Sequence, residues 1–407
     1  MSKKYVPIPV ALLSLGQPLP VDLWTPSGQL LLRKGQDVQS EQHRDRLAEH
    51  LASCTPADAQ AWQRAYERAV HTLLSQGAAL EAVAGMPMPQ DIRESDYVVG
   101  QQLHGGWLDL QEVLRGILYQ GGFALNPMER LAGIVRKAQE LLAQDTDESF
   151  YCLFQALAQP ELGYCATHAL LCAVVGELTA QKLQMLPRQR ECLFQAALVM
   201  NMGMAREQDV LTRQASSPTD WQRKLIEEHP QRSVAALLAL GLDDPDLQDI
   251  VRWHHDPHAQ DAEPNLLLAR RILHLADAFV AKMAPRRTRA ALSPFKAVKS
   301  MVVGAPEGDL GLGSAMAQAA SFYPPGTYVR LSNGETAVSV QRGERANTPW
   351  VISVLDKDGV AISRLVCKPT TTPDCTIQAA ATIDKIKVAL PVEKVRKARQ
   401  RIPDSTV

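Results

Sequence analysis

No stretch of about 18 or more consecutive apolar residues occurs in this 407-residue chain, so no transmembrane helix is expected. The N-terminal stretch MSKKYVPIPVALLSLGQPLP is broken by prolines and a glutamine. It lacks the continuous apolar core of a signal peptide and reads as a first strand. Charge of one sign is missing too. Lys plus Arg (43) nearly balances Asp plus Glu (44), which leaves no global field for nucleic acid or anionic lipid. The seven cysteines show no CxxC or CxH spacing, and Cys165, Cys172 and Cys192 lie in apolar helical stretches. Free buried cysteines behave as small hydrophobes, and their usage fits a reducing cytoplasm. No GxxxxGK[ST], GxSxG or HExxH occurs, and no repeat at a fixed period.

What is present is an ordinary globular composition, 46% hydrophobic and 21% charged. Its texture changes along the chain. Residues 1–100 open with short strands around the turn PSGQ and continue into amphipathic helix, with Trp62, Tyr66, Val70 and Leu73 at three- and four-residue spacing. Residues 101–320 read almost throughout as helix, in segments such as LQEVLRGILYQ and HALLCAVVGELTAQKL. Residues 321–368 alternate apolar and polar positions around SNGE and DKDG turns, the pattern of strand hairpins. Residues 369–407 end in EKVRKARQRIPDSTV, basic and without interleaved aromatics, and are expected to be a frayed tail. The fold class is therefore mainly α: a helical domain flanked by a small α+β N-terminal domain and a C-terminal β-rich module.

Ten histidines are scattered through the chain, and His43, His50 and His71 fall on polar helix faces. Five other residues stand out as a set. His168 opens a helix, His229 precedes Pro230, and His254 and His255 are adjacent in RWHHD. Asp277 lies in ILHLADAFV, where a carboxylate among apolar neighbours is costly without a partner. Imidazole with carboxylate is the ligand chemistry of zinc, iron and manganese hydrolytic centres. A single helical His is more often a hydrogen-bonded core or surface residue, so each element alone is weak.

Taken in order, these features resemble the HD superfamily. The His-His pair, ILHLADAF and the following RxxRAALSP resemble the HD-GYP subfamily in particular. LPVDLWTPSGQLLLRKGQDVQSEQ is similar to the small domain often placed ahead of such domains, and YPPGTYVRLSNGETAVSV to the strand extension that often follows. The resemblance implies metal-dependent cleavage of cyclic di-GMP, with His168, His229, His254, His255 and Asp277 as metal ligands. It also implies Arg286 and Arg289 as groups that meet the phosphates through their planar forks. An exposed basic turn in PRRTR is the other reading of these arginines.

Two departures bear on activity. Where the family carries its HDIGK motif, this chain has LVMNMGMAR, which puts Asn201 and Met202 at the His-Asp dyad and Ala205 at the lysine. A thioether cannot replace a metal-bridging carboxylate. The GYP loop is replaced by DPHAQDAEPNLL, with Asp256 where the family glutamate stands. No residue is thus assigned a catalytic role. Two cofactor readings stay open: one divalent transition metal, iron or manganese, or none, with the histidines as core hydrogen-bonders. The expected function is a degenerate HD-GYP-like binding or regulatory component of bacterial cyclic di-GMP-type signalling. Its partner would be a cyclic dinucleotide or a signalling protein, without nucleic acid or membrane insertion. The alternative is an active phosphodiesterase or phosphohydrolase with a reduced metal site. A regulatory HDOD-like module fits less well, given the His-His pair and the strand module.

Overall fold

The computed structural model describes residues 5–75, 86–92, 106–121, 124, 126–159, 162–285, 292, 295–297, 299, 310–381, 386 and 390–402. Two compact units divide the chain, Met1–Gln102 and Leu103–Val407. In the first, β1 (Val6–Pro7), β2 (Leu23–Trp24), β3 (Leu30–Leu32) and β4 (Ser53–Cys54) form a sheet in the order β1-β4-β2-β3, accompanied by α1 (Glu41–Glu49) and α2 (Pro56–Ser75). Leu23, Val38, Cys54 and Trp62 make its core, and the Trp62 indole donates to the Pro89 carbonyl at 2.8 Å. A buried indole N–H needs such a partner.

The second unit is helical. It contains α3 (Trp107–Gln120), α4 (Pro127–Gln144), α5 (Thr146–Leu157), α6 (Tyr164–Lys182), α7 (Pro187–Val199), α8 (Ala205–Arg213), α9 (Asp220–Ala239), α10 (Pro245–Trp253), α11 (Pro264–Met283) and α12 (Leu310–Ala320). Helix α6 is buried on every face, as its continuous apolar run YCATHALLCAVVG requires. Its N-terminus is closed by a carboxylate from another helix. Asp209 of α8 accepts from the Cys165 amide at 2.6 Å and from the Tyr119 hydroxyl at 2.5 Å. An anion there satisfies an orphan N–H and meets the positive end of the helix dipole. Thr219 and Gln222 exchange side-chain-to-backbone bonds at the start of α9, a capping box, and Asp244 caps α10 ahead of Pro245.

A five-stranded antiparallel sheet follows the helices: β5 (Tyr328–Leu331), β6 (Thr336–Gln341), β7 (Trp350–Leu355), β8 (Cys367–Pro369) and β9 (Ile377–Ala381), in the order β8-β7-β6-β5-β9. The fold is thus mainly α, with β modules at both flanks. The tail expected over 369–407 is corrected in part. Within it β9 closes one sheet edge, and α13 (Val392–Arg399) lies against α5. Arg396 pairs with Glu148 at 2.6 Å and Arg399 with Asp145 at 2.8 Å, while Val395 and Ala398 are buried. The basic residues that look like a solvated arm thus meet the acidic first turn of α5.

Candidate metal centre

His229 sits next to the one proline inside α9, and the two residues act together. Pro230 has no N–H, so the Ile226 carbonyl loses its helical donor. The His229 ring fills the gap, with Nδ1 2.6 Å from the Ile226 oxygen. His254 caps the C-terminus of α10, where the last carbonyls lack intrahelical partners. Its Nδ1 lies 2.7 Å from the Val251 oxygen. The His254 carbonyl in turn accepts from His274 Nδ1 at 2.8 Å, which fixes the position of the cap.

Those two backbone contacts determine the tautomers. A carbonyl only accepts, so Nδ1 carries the proton in both rings and Nε2 carries a lone pair. The two Nε2 atoms stand 3.2 Å apart. Both rings are fully buried. Burial, with repulsion from His255, pushes the His254 imidazole down to about 3, and burial pushes His229 down to about 4. A proton held between them is therefore disfavoured, and two lone pairs facing each other repel unless a cation lies between. His255 adds its ring, with its centroid 4.2 Å from that of His254 and 5.0 Å from that of His229, on the exposed side. The three residues each offer one nitrogen, all within 4.8 Å of one another. Backbone-anchored imidazoles converging in this way suit a divalent transition ion.

His168 and Asp277 form the neighbouring group, on α6 and α11. His168 Nε2 lies 2.7 Å from Asp277 Oδ1, and its Nδ1 lies 3.0 Å from the Tyr164 hydroxyl. Cys172, one helical turn after His168, brings its Sγ to 3.5 Å from the same Nε2. Burial opposes a charge on Asp277. The His168 hydrogen bond and the fields of His168, His254 and His255 outweigh it and hold the carboxyl well below the usual range. His229 and His254 feel Asp277 in return, so the two groups share one electrostatic environment.

Asn201 and Met202 are buried at the turn that follows α7. Gly203 lets that turn press on α9, because a Cβ there would meet the Ser233 nitrogen at 2.7 Å and the His229 oxygen at 2.8 Å. Its amide donates to Ser233 Oγ at 2.9 Å, and Ser233 donates to the Met200 carbonyl at 2.7 Å. Both side-chain amide atoms of Asn201 are buried without a protein partner among the described residues. An orphaned amide of this kind is costly unless a ligand or water meets it.

Five positions singled out in the sequence thus fall into two converging groups, and Arg286 and Arg289 lie outside the described residues. Cys172 is a donor that sequence reading counts only as a small hydrophobe. Its four-residue spacing from His168 puts both on one helix face and was the available signal. Arg270 is a second omission. Fully buried, it grips Asp249 through two bonds of 2.6 and 2.5 Å and the carbonyls of Pro257 and Gln260 at 3.1 and 2.8 Å. It thereby pins the segment that follows the histidine pair.

No family model matches the chain, and no curated protein matches it. Among solved structures, it is similar to one titled "Bd1817, a HDG"Y"P protein from Bdellovibrio bacteriovorus", at 16% identity, covering 77% of this chain and 98% of that one. The TM-score is 0.38, a likeness too loose to carry an argument.

Proposed function

We propose that this chain is a degenerate HD-GYP-like protein that binds a transition metal but does not hydrolyse cyclic di-GMP. It would act as a binding or regulatory component of bacterial cyclic di-GMP-type signalling. The observation that carries the metal reading is the pair of buried Nε2 lone pairs of His229 and His254, 3.2 Å apart. With His255 they form a three-nitrogen site for one divalent ion, iron or manganese by the resemblance. Such an ion would supply Lewis acidity to a ligand placed at the open side near His255.

The inactive reading rests on the residues at 201 and 202. A two-metal clamp on the attacking and leaving oxygens needs an anionic bridge. Asn201 offers only neutral amide atoms there, and Met202 a thioether. A cyclic dinucleotide or a signalling protein remains the proposed partner, with Arg286 and Arg289 as the proposed phosphate contacts. Seven free cysteines agree with a reducing, cytoplasmic setting.

The test is turnover of cyclic di-GMP by protein loaded separately with iron(II), manganese and zinc, beside the variant Asn201→His/Met202→Asp. The native chain is expected to give none, and the double variant to gain hydrolysis. Turnover by the native chain would favour the alternative, a working phosphodiesterase on a reduced site.

A further inference from the structure

We propose that Cys172 is a metal ligand, and that His168, Cys172 and Asp277 form a thiolate-containing subsite with a preference for zinc. The inference rests on the metal-binding reading above and concerns a residue that the resemblance leaves unassigned. It begins from the helix. His168 and Cys172 are four residues apart on α6, so they project from one face toward α11, which carries Asp277. Their donor atoms Nε2, Sγ and Oδ1 all lie within 4.8 Å of one another.

The spacing suits tetrahedral zinc. Bond lengths of ~2.3 Å to sulfur and ~2.0 Å to nitrogen separate those two atoms by roughly 3.6 Å. Sγ and Nε2 are 3.5 Å apart. The carboxylate needs a small adjustment, because Oδ1 now accepts a hydrogen bond from Nε2 at 2.7 Å. A shared tetrahedral ion would place them about 3.3 Å apart, so Asp277 withdraws by about half an ångström.

The surroundings of His168 allow the change in protonation that ligation demands of it, whereas burial and the Asp277 charge push the Cys172 thiol up, so the ion itself must drive the loss of its proton. Nε2 must give up its hydrogen, and the neutral ring then carries it on Nδ1. Tyr164 faces Nδ1 at 3.0 Å, and its hydroxyl can accept as readily as it donates. The ring therefore keeps a partner in either tautomer, the outer contact that ligating imidazoles ordinarily have. The imidazole proton passes from Nε2 to Nδ1 with no net loss. The thiol proton leaves to solvent as the sulfur–metal bond forms, so one proton is released per ion bound.

Charge gives the subsite its significance. The carboxylate bridge of the resembled family is absent at Met202, and a buried divalent ion still needs anionic donors. Asp277 supplies one and the Cys172 thiolate a second, from a side chain that is completely buried. Soft sulfur shifts the selection from iron or manganese toward zinc.

Cobalt(II) titrated into the metal-free full chain reports sulfur ligation directly. The expected result is visible ligand-field absorption together with a near-ultraviolet sulfur-to-cobalt charge-transfer band. That band should disappear in Cys172→Ser and in Cys172→Ala, while the ligand-field bands of the imidazole triad persist. Zinc affinity of the subsite should fall by more than the ~10–100-fold typical of losing an outer partner. Thermal unfolding of both variants identifies any that fails to fold. Ligand-field bands without charge transfer, or a charge-transfer band unchanged by both substitutions, would overturn the Cys172 assignment and leave the imidazole triad standing. No cobalt absorption at all would overturn the metal reading itself.

Discussion

Pro230 and His229 show how one missing N–H orients an imidazole. Replacing Pro230 by Ala restores a donor for the Ile226 carbonyl and frees the His229 ring to turn. Metal affinity should drop by ~10–100-fold, as for other outer partners of ligating histidines. Helix stability should hold or rise, since Ala far exceeds Pro in helix propensity. Competition against a chromogenic chelator, with thermal unfolding on the same sample, checks both. Unchanged affinity would mean that the Ile226 contact does not orient the ring.

The same residues give the metal-free protein an acid-sensitive stability. In the unfolded chain these imidazoles take up protons near pH 6.5, but in the fold only near 4 for His229 and 3 for His254. Between those limits the unfolded state binds more protons, so stability falls as pH falls and the loss levels off near pH 3. His229 alone should cost on the order of 3 kcal/mol across that window. Asp277 acts in the same direction at lower pH, because its carboxyl is depressed in the fold. Urea unfolding at stepped pH measures the slope, and a flat profile from pH 7 to 4 would contradict these buried neutral rings. The order of His168, His229, the His-His pair and Asp277 was legible in the sequence. Cys172 was legible only as a four-residue spacing from His168, because a cysteine in an apolar run looks the same whether it packs or ligates.

At the level of elements, the centre depends on close approaches that only particular residues allow. Gly203→Ala should destabilise by about 1–3 kcal/mol, since the added methyl meets α9 backbone atoms under 3 Å away. Arg270→Ala should cost more, about 3–5 kcal/mol, because it leaves Asp249 without its buried partner. It also releases the Pro257 and Gln260 carbonyls, so hydrogen exchange across residues 254–263 should accelerate. Exchange as slow as in the native chain would mean that the segment is held by other contacts. The long apolar run of α6 and the apolar periodicity of α11 announced both elements. The Arg270 clamp was hidden because its partners lie before and after the histidine pair, and spacing along one helix does not reveal them.

Across the whole molecule, the mainly helical architecture with flanking strands follows from where apolar periodicity changes from helical to alternating. The C-terminal segment did not follow, because the acidic partners of Arg396 and Arg399 lie more than 200 residues away, a separation of 248 for Arg396 and Glu148. Ending the chain after Leu390 removes α13, with buried Val395 and its two arginine pairs. The loss should be on the order of 3 kcal/mol, read as a lower unfolding midpoint. An unchanged midpoint would make α13 an ornament of the fold. As a whole, the chain is proposed to bind metal without turning over substrate. The most direct measurement takes one preparation purified without chelator, determines its transition-metal content by elemental analysis, and assays it for cyclic di-GMP hydrolysis. Bound metal, with the share held by the imidazole triad lost in His229→Ala/His254→Ala, and no turnover before or after reloading, is the expected result. Turnover by the native chain, or protein that retains no metal under loading, would contradict it.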